Sequence, residues 1–154
     1  MSDIAMIFAL ALASNSNACK HLNWALQQLQ NQGMLLAVSS AYEMKCRDDV
    51  GADYLNAACL FESKALELSS LQVLIRDLEL MTGRIRPSHQ ITLDIDLIAW
   101  KTQDIQPWQY NTKKMPFALD VKIPLYDILP IATFHVSHNH NYIQLKYDFG
   151  GYQQ

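Results

Sequence analysis

The chain has 154 residues, half of them hydrophobic and 18% charged, with five glycines and five prolines. That profile excludes a disordered or low-complexity chain and leads us to expect one ordered domain spanning residues 1–154. A net charge of −3 provides no basic stripe for nucleic acid, and the only arginines available to an anionic ligand are Arg47, Arg76, Arg84 and Arg86.

Cys19, Cys46 and Cys59 are odd in number, widely spaced and free of any C-x-x-C pair. Neither a disulfide framework nor a zinc site is suggested, and a reducing cytoplasm is the expected location. The start, Met1-Ser2-Asp3-Ile4, has no basic leader, and the apolar run to Ala13 is too short to span a bilayer. No membrane association is expected.

Ile4 to Leu12 reads as a central strand, followed by a polar turn, Ser14-Asn15-Ser16-Asn17, that opens a helix. Leu22, Ala25, Leu26 and Leu29 recur at helical spacing, and Gly33 is placed to end that helix in a left-handed C′ conformation. Met34 to Tyr42 predicts one strand with a partly wet face, and Lys45 to Asp53, with Asp48, Asp49 and Gly51, predicts a loop of about nine residues. Tyr54 to Glu62 then forms a strand antiparallel to the one before it.

Ser69-x-x-Gln72 matches a capping box, and Leu71, Leu74, Ile75, Leu78 and Met81 predict a second helix that stops at Gly83. A loop from Arg84 to Gln90 leads into the strand Ile91 to Trp100. The order β-α-β-β-α-β corresponds to an α+β, ferredoxin-like core, an antiparallel sheet with its helices on one face. The C-terminal extension is punctuated by Pro107, Pro116, Pro124 and Pro130; it predicts a short helix and irregular segment over Leu125 to Phe134 and a strand over Asn141 to Phe149.

The chemistry concentrates on Ile91 to Trp100. Alternation puts Asp94 and Asp96 on one side of that strand and Leu93, Ile95 and Leu97 on the other. Two carboxylates about 7 Å apart repel, and burying them is costly without a cation. Mg²⁺, which takes one or two carboxylates and completes its shell with water and phosphate, would remove that cost. The alternative is an edge strand with a solvated outer face. In the tail, His135, His138 and His140 form H-x-x-H-x-H, which is either an exposed turn or a Zn²⁺ or Ni²⁺ site.

Ala13-Ser14-Asn15, Ser40-Ala41-Tyr42, Tyr54-Leu55-Asn56-Ala57, Glu79-x-x-x-Gly83-Arg84-x-Arg86 and Thr92-Leu93-Asp94-x-Asp96 follow one another in register with the predicted elements. In that order and spacing the chain resembles the 6-hydroxymethyl-7,8-dihydropterin pyrophosphokinase family, from Ile4 to about Pro130. The resemblance implies diphosphate transfer from ATP to a reduced pterin alcohol in folate biosynthesis, with Asp94 and Asp96 holding two Mg²⁺ ions. It implies that Arg84, Arg86 and Glu79 contact nucleotide, and that Tyr42, Met44, Lys45, Tyr54, Asn56 and Phe117 surround the pterin. A cytoplasmic enzyme is expected, acting as a monomer with a dimer left open.

Set against that pattern, Ile91 stands where the family usually has an arginine, and the loop before Asp94 offers only His89. Ala13 replaces a usual glycine. Phe117 follows Pro116 where a histidine and a basic residue are common, leaving Lys113, Lys114 and Lys122 as nearby cations. Besides a working pyrophosphokinase, two readings stay open: a relative that binds pterin or nucleotide without transfer, and an interaction module that oligomerises through Tyr142, Ile143 and Tyr147.

Overall fold

A computed structural model of the protein describes residues 4–45, 52–102, 107–137, 143 and 145–149. Cys46, Arg47, Asp48, Asp49, Gly51, His138, His140, Asn141 and Tyr142 lie outside the described residues. The elements, in chain order, are β1 (Met6–Ser14), α1 (Ala18–Gln30), β2 (Met34–Val38), β3 (Ala41–Met44), β4 (Tyr54–Ser63), α2 (Leu68–Met81), β5 (Asp94–Thr102), β6 (Gln109–Tyr110), α3 (Leu119–Ile128) and β7 (Leu145–Tyr147). The strands form an antiparallel sheet in the order β6-β5-β1-β4-β3-β7, with β2 also paired to β4. That arrangement contains the expected ferredoxin-like core.

Strand β1 sits at the centre because both of its backbone edges are paired, to β4 on one side and β5 on the other. Its alternate residues serve two cores. Phe8, Leu10 and Leu12 pack with Leu22, Leu26 and Leu29 of α1 and with Leu71, Ile75 and Leu78 of α2. Fully burying each of these large side chains contributes roughly 1.5–3 kcal/mol, so α1 and α2 are held by one sealed apolar layer. On the opposite side Ala9 and Ala11 pack with Ala58, Ile98, Ala99 and, from the extension, Phe117, Val121, Leu125 and Phe134. The β1–β5 register shifts between Ala9 and Leu10, which brings Ile98 and Ala99 together on this second side.

Several boundaries differ from the sequence reading for physical reasons. The strand expected over Met34–Tyr42 is two strands, because Ser39 interrupts it: its amide donates to Ala58 O at 2.9 Å and its hydroxyl accepts from the Ala58 amide at 2.8 Å. The box that caps α2 lies two residues earlier than Ser69-x-x-Gln72; the Glu67 amide donates to Ser70 Oγ at 2.8 Å, and that hydroxyl donates back to Glu67 O at 3.1 Å. Gly33 does not take a left-handed C′ conformation. It is required by close approach instead, since a Cβ there would lie 2.2 Å from Glu62 O and 2.8 Å from the Phe61 ring.

The helix expected from Leu125 begins at Leu119 and carries Pro124 in its interior. The missing N–H removes one helical bond, and burial of Val121, Ile123 and Leu125 offsets it. This helix covers the face of the sheet opposite α1 and α2, so helices flank both sides. Of the strand expected over Asn141–Phe149, Leu145–Tyr147 pairs with β3, and Ile143 packs against Tyr42, Met44 and Ile123 within the chain. No helix among the described residues is long and apolar enough to cross a membrane.

Candidate functional site

On the α3 side of the sheet the residues opposite one another are unusually small. Ala13 of β1 pairs with Asn56 of β4 on one side and with Asp94 of β5 on the other; one step along, Ala11 pairs with Ala58 and Asp96. Asn56 and Asp94 therefore flank a methyl group two strand spacings apart, roughly 10 Å. Ile95 and Leu97 point into the sealed layer, as alternation predicts, while Asp94 and Asp96 stay half-buried on the open side. Asp94 begins the strand, because Ile91 is held by the first turn: Asn15 Oδ1 accepts from the Ile91 amide at 2.6 Å, and the Asn15 amide donates to Ile91 O at 2.9 Å. Asn15 Nδ2 also donates to His89 O at 2.7 Å.

The cations arrive by two local devices. At the end of α2, Gly83 adopts φ +86°, the Gly83 amide donates to Leu80 O at 3.0 Å and the Arg84 amide to Glu79 O at 3.4 Å. This is a Schellman turn, and it directs Arg84 back across the start of β5. Arg84 Nη1 donates to Leu93 O at 2.9 Å and to Asp94 Oδ1 at 3.2 Å, and lies 3.6 Å from Glu79 Oε2. Its side chain is only 9% exposed, and its Nε is buried with no partner among the described residues. Arg86, 66% exposed, reaches Glu79 Oε1 at 3.4 Å. On the far side of the pair, Asn111 caps a short 3₁₀ turn, Thr112–Lys114, by accepting from the Lys113 amide, and Lys114 Nζ donates to Asp96 Oδ1 at 3.0 Å.

Each aspartate is thus matched to its own cation, Asp94 to Arg84 and Asp96 to Lys114. Burial raises the pKa of Asp96, and the charge of Asp94 raises it further, while Lys114 pulls it down. Both carboxylates project into space shared by two cavities. One, of about 430 Å³, is lined by Ala11, Ala13, Tyr54, Asn56, Asp120 and Val121. The other, of about 540 Å³, lies along α2 between Gln72, Arg76, Glu79 and Leu80. Arg84, Arg86, Asp94, Asp96 and Lys114 line both.

Six of the residues singled out in the sequence, Tyr54, Asn56, Arg84, Arg86, Asp94 and Asp96, meet in the first cavity, with Glu79 beside the second. Glu79 is 8% exposed, accepts from the Ile95 amide at 2.9 Å and pairs with both arginines. Asn56 is buried, and its amide donates to Tyr42 O at 3.4 Å.

The structure does not bring Tyr42, Met44 or Phe117 into either cavity lining. Tyr42 packs with Met44 and Ile123 and donates its hydroxyl to Asp127 Oδ2 at 2.5 Å; burial and then Asp127 push its pKa upward. Phe117 is a core residue with ring centroids 5.6 Å from Phe134 and 6.3 Å from Tyr110. Lys45, His89, Lys113 and Lys122 line neither cavity, and His135 lies against Tyr126 at 5.5 Å. Asp120, Val121 and Gln72 were not foreseen. No ligand-binding motif marks them, Gln72 reading only as part of a helix cap, and they reach the site because α3 and α2 are packed where they are.

The donor set fits a hard divalent cation. Two carboxylates share an open face, and among the described residues no group of three or more His, Cys, Asp or Glu side chains could enclose a metal by itself. A cation held by Asp94 and Asp96 would complete its shell with water and ligand oxygens, which is the habit of Mg²⁺. No curated protein sequence matches the chain significantly. The family model described as 7,8-dihydro-6-hydroxymethylpterin-pyrophosphokinase matches residues 9–137, a span that begins within β1, runs past α3 and includes every lining residue of both cavities. The chain belongs to the 7,8-dihydro-6-hydroxymethylpterin-pyrophosphokinase family.

Proposed function

We propose that the protein transfers diphosphate from ATP to the hydroxymethyl group of 6-hydroxymethyl-7,8-dihydropterin, in a Mg²⁺-dependent step of folate biosynthesis. The observation that carries this reading is the shared wall of two cavities, in which Asp94 and Asp96 face both spaces with three cations around them. A two-substrate transfer needs such a border, because the acceptor oxygen and the β-phosphorus must meet there in line.

The first cavity suits the pterin. Asn56 offers an amide with both donor and acceptor capacity for a heterocycle edge, and Tyr54 offers an aromatic face. The second cavity, along α2, suits the nucleotide, with Glu79 holding Arg84 and Arg86 at its rim. Asp94 and Asp96 would hold two Mg²⁺ ions, whose chemistry is neutralisation of the triphosphate and polarisation of its phosphoryl oxygens. In the reaction the pterin hydroxyl oxygen bonds to the β-phosphorus, the bridge between the α- and β-phosphates breaks, AMP departs, and the hydroxyl proton passes to solvent. Arg84 and Arg86 orient phosphate oxygens through planar donors and stabilise charge on the leaving AMP.

A second reading, binding without transfer, is favoured by Ile91, an apolar side chain where the family resemblance implies an arginine. Losing one such donor costs about 10²–10³ in rate. The experiment that separates the two readings measures AMP release with ATP, Mg²⁺ and the reduced pterin, beside equilibrium titrations of each substrate. Transfer requires AMP to form in proportion to pterin diphosphate. Saturable binding of both substrates without AMP would establish the second reading, and absence of binding would discard both.

A further inference from the structure

Among the described residues, Lys114 is the cation on the shared wall whose contacts leave it able to change partners. Arg84 is 9% exposed and tied at once to Leu93 O, Asp94 and Glu79, and Arg86 holds Glu79 rather than an aspartate. Lys114 is 45% exposed, stands on a three-residue 3₁₀ turn, and makes its contact to Asp96 through a flexible stem and a rotatable ammonium. It lines both cavities, so the ammonium has open space on either side of the carboxylate. Its contact, Asp96 Oδ1 at 3.0 Å, is one of the two carboxylate oxygens through which Asp96 would hold a divalent cation, and its positive charge lies beside that cation's position.

We propose that Lys114 is an internal stand-in for the metal: it neutralises Asp96 while the site is empty of cation, yields that oxygen when a divalent ion binds, and then engages phosphate oxygens of the nucleotide. This rests on the reading of Asp94 and Asp96 as the metal pair. Two consequences of opposite sign follow. In the absence of nucleotide Lys114 competes with the metal, so removing it strengthens metal binding. With nucleotide and metal present Lys114 is a donor to phosphate, so removing it weakens nucleotide binding. A lysine that merely anchored the Thr112–Lys114 turn would weaken both when removed.

The test uses the full chain as wild type, Lys114→Ala and Lys114→Arg, titrated first with Mn²⁺ alone by electron paramagnetic resonance. Each is then titrated with α,β-methylene-ATP, which cannot be cleaved at the reacting bridge, at saturating Mg²⁺. Lys114→Ala is expected to bind Mn²⁺ about fivefold tighter and the nucleotide analogue about tenfold weaker, with Lys114→Arg within about twofold of wild type in both. Changes of the same sign in both titrations, or no change in either, overturn the inference and leave the metal pair standing. A wild-type protein that binds neither Mn²⁺ nor the analogue overturns the metal pair and the inference together.

Discussion

The two faces of the central sheet are built from the same strands and do opposite work. On the α1/α2 face, Phe8, Leu10, Leu12 and Phe61 fill the space to the helices and are at most 1% exposed. On the α3 face, the same stretches of β1 and β4 present Ala9, Ala11, Ala13, Asn56 and Ala58, and part of the gap is left open as a cavity. Alternation alone decides which residues go to which face, and side-chain size then decides which face closes. The difference teaches that the site is a region where packing was withheld, floored by alanines so that Asn56, Asp94 and Asp96 can meet a ligand.

Breaking the open face at its charged centre has the largest expected effect. Asp96→Ala should lower diphosphate transfer by at least about 10³, read as AMP release, while the unfolding midpoint stays near that of wild type, since a half-buried like-charge contact with Asp94 is lost along with the Lys114 pair. Next comes Arg84. Its removal leaves Glu79 and Asp94 without their buried partner and is expected to cost about 3–5 kcal/mol in denaturant unfolding, whereas Arg86→Ala, at an exposed position, should stay within about 0.5 kcal/mol. Equal losses from the two arginines would contradict the distinction drawn between an embedded strut and a rim cation.

Neighbouring residues on β1 sharpen the comparison of faces directly. Leu10→Ala opens the sealed layer and should cost about 2–5 kcal/mol of stability without altering pterin affinity per folded molecule. Ala11→Leu inserts bulk into the open cavity; it should cost a smaller 1–3 kcal/mol, roughly, but abolish measurable pterin binding by calorimetric titration. The smallest effect concerns Cys59, whose thiol is pushed up to about 12 by burial in the sealed layer, while Cys19 is exposed. Because the folded-state value lies above that of an unfolded thiol, near 8.5, the contribution to stability is complete below about pH 8 and is lost as pH rises toward 12. A thiol-specific reagent at neutral pH should modify Cys19 readily and Cys59 only on unfolding.

Much of this was legible in the chain because it rests on short-range periodicity. The 3.6-residue spacing of Leu22, Leu26 and Leu29 and the alternation around Asp94 and Asp96 translate directly into α1 and into the two sides of β5. What could not be read depends on long-range packing. The cover over the open face, α3, begins five residues before an internal proline that looks like a boundary, and it delivers Asp120 and Val121 to the cavity from a segment with a weak local pattern. Phe117 seemed available to a ligand because it is aromatic and near a proline; it is spent instead on the Tyr110–Phe134 cluster beneath α3. Glu79 shows the same limit, since nothing local distinguishes a surface glutamate from one turned inward to receive the Ile95 amide.

The most direct test of the account is the stoichiometry of AMP released to pterin diphosphate formed, measured with ATP, Mg²⁺ and 6-hydroxymethyl-7,8-dihydropterin for wild type and Asp96→Ala side by side. The account predicts one AMP per pterin diphosphate from the wild type and at least about 10³ less from the variant. Equal AMP formation by the two proteins would contradict it.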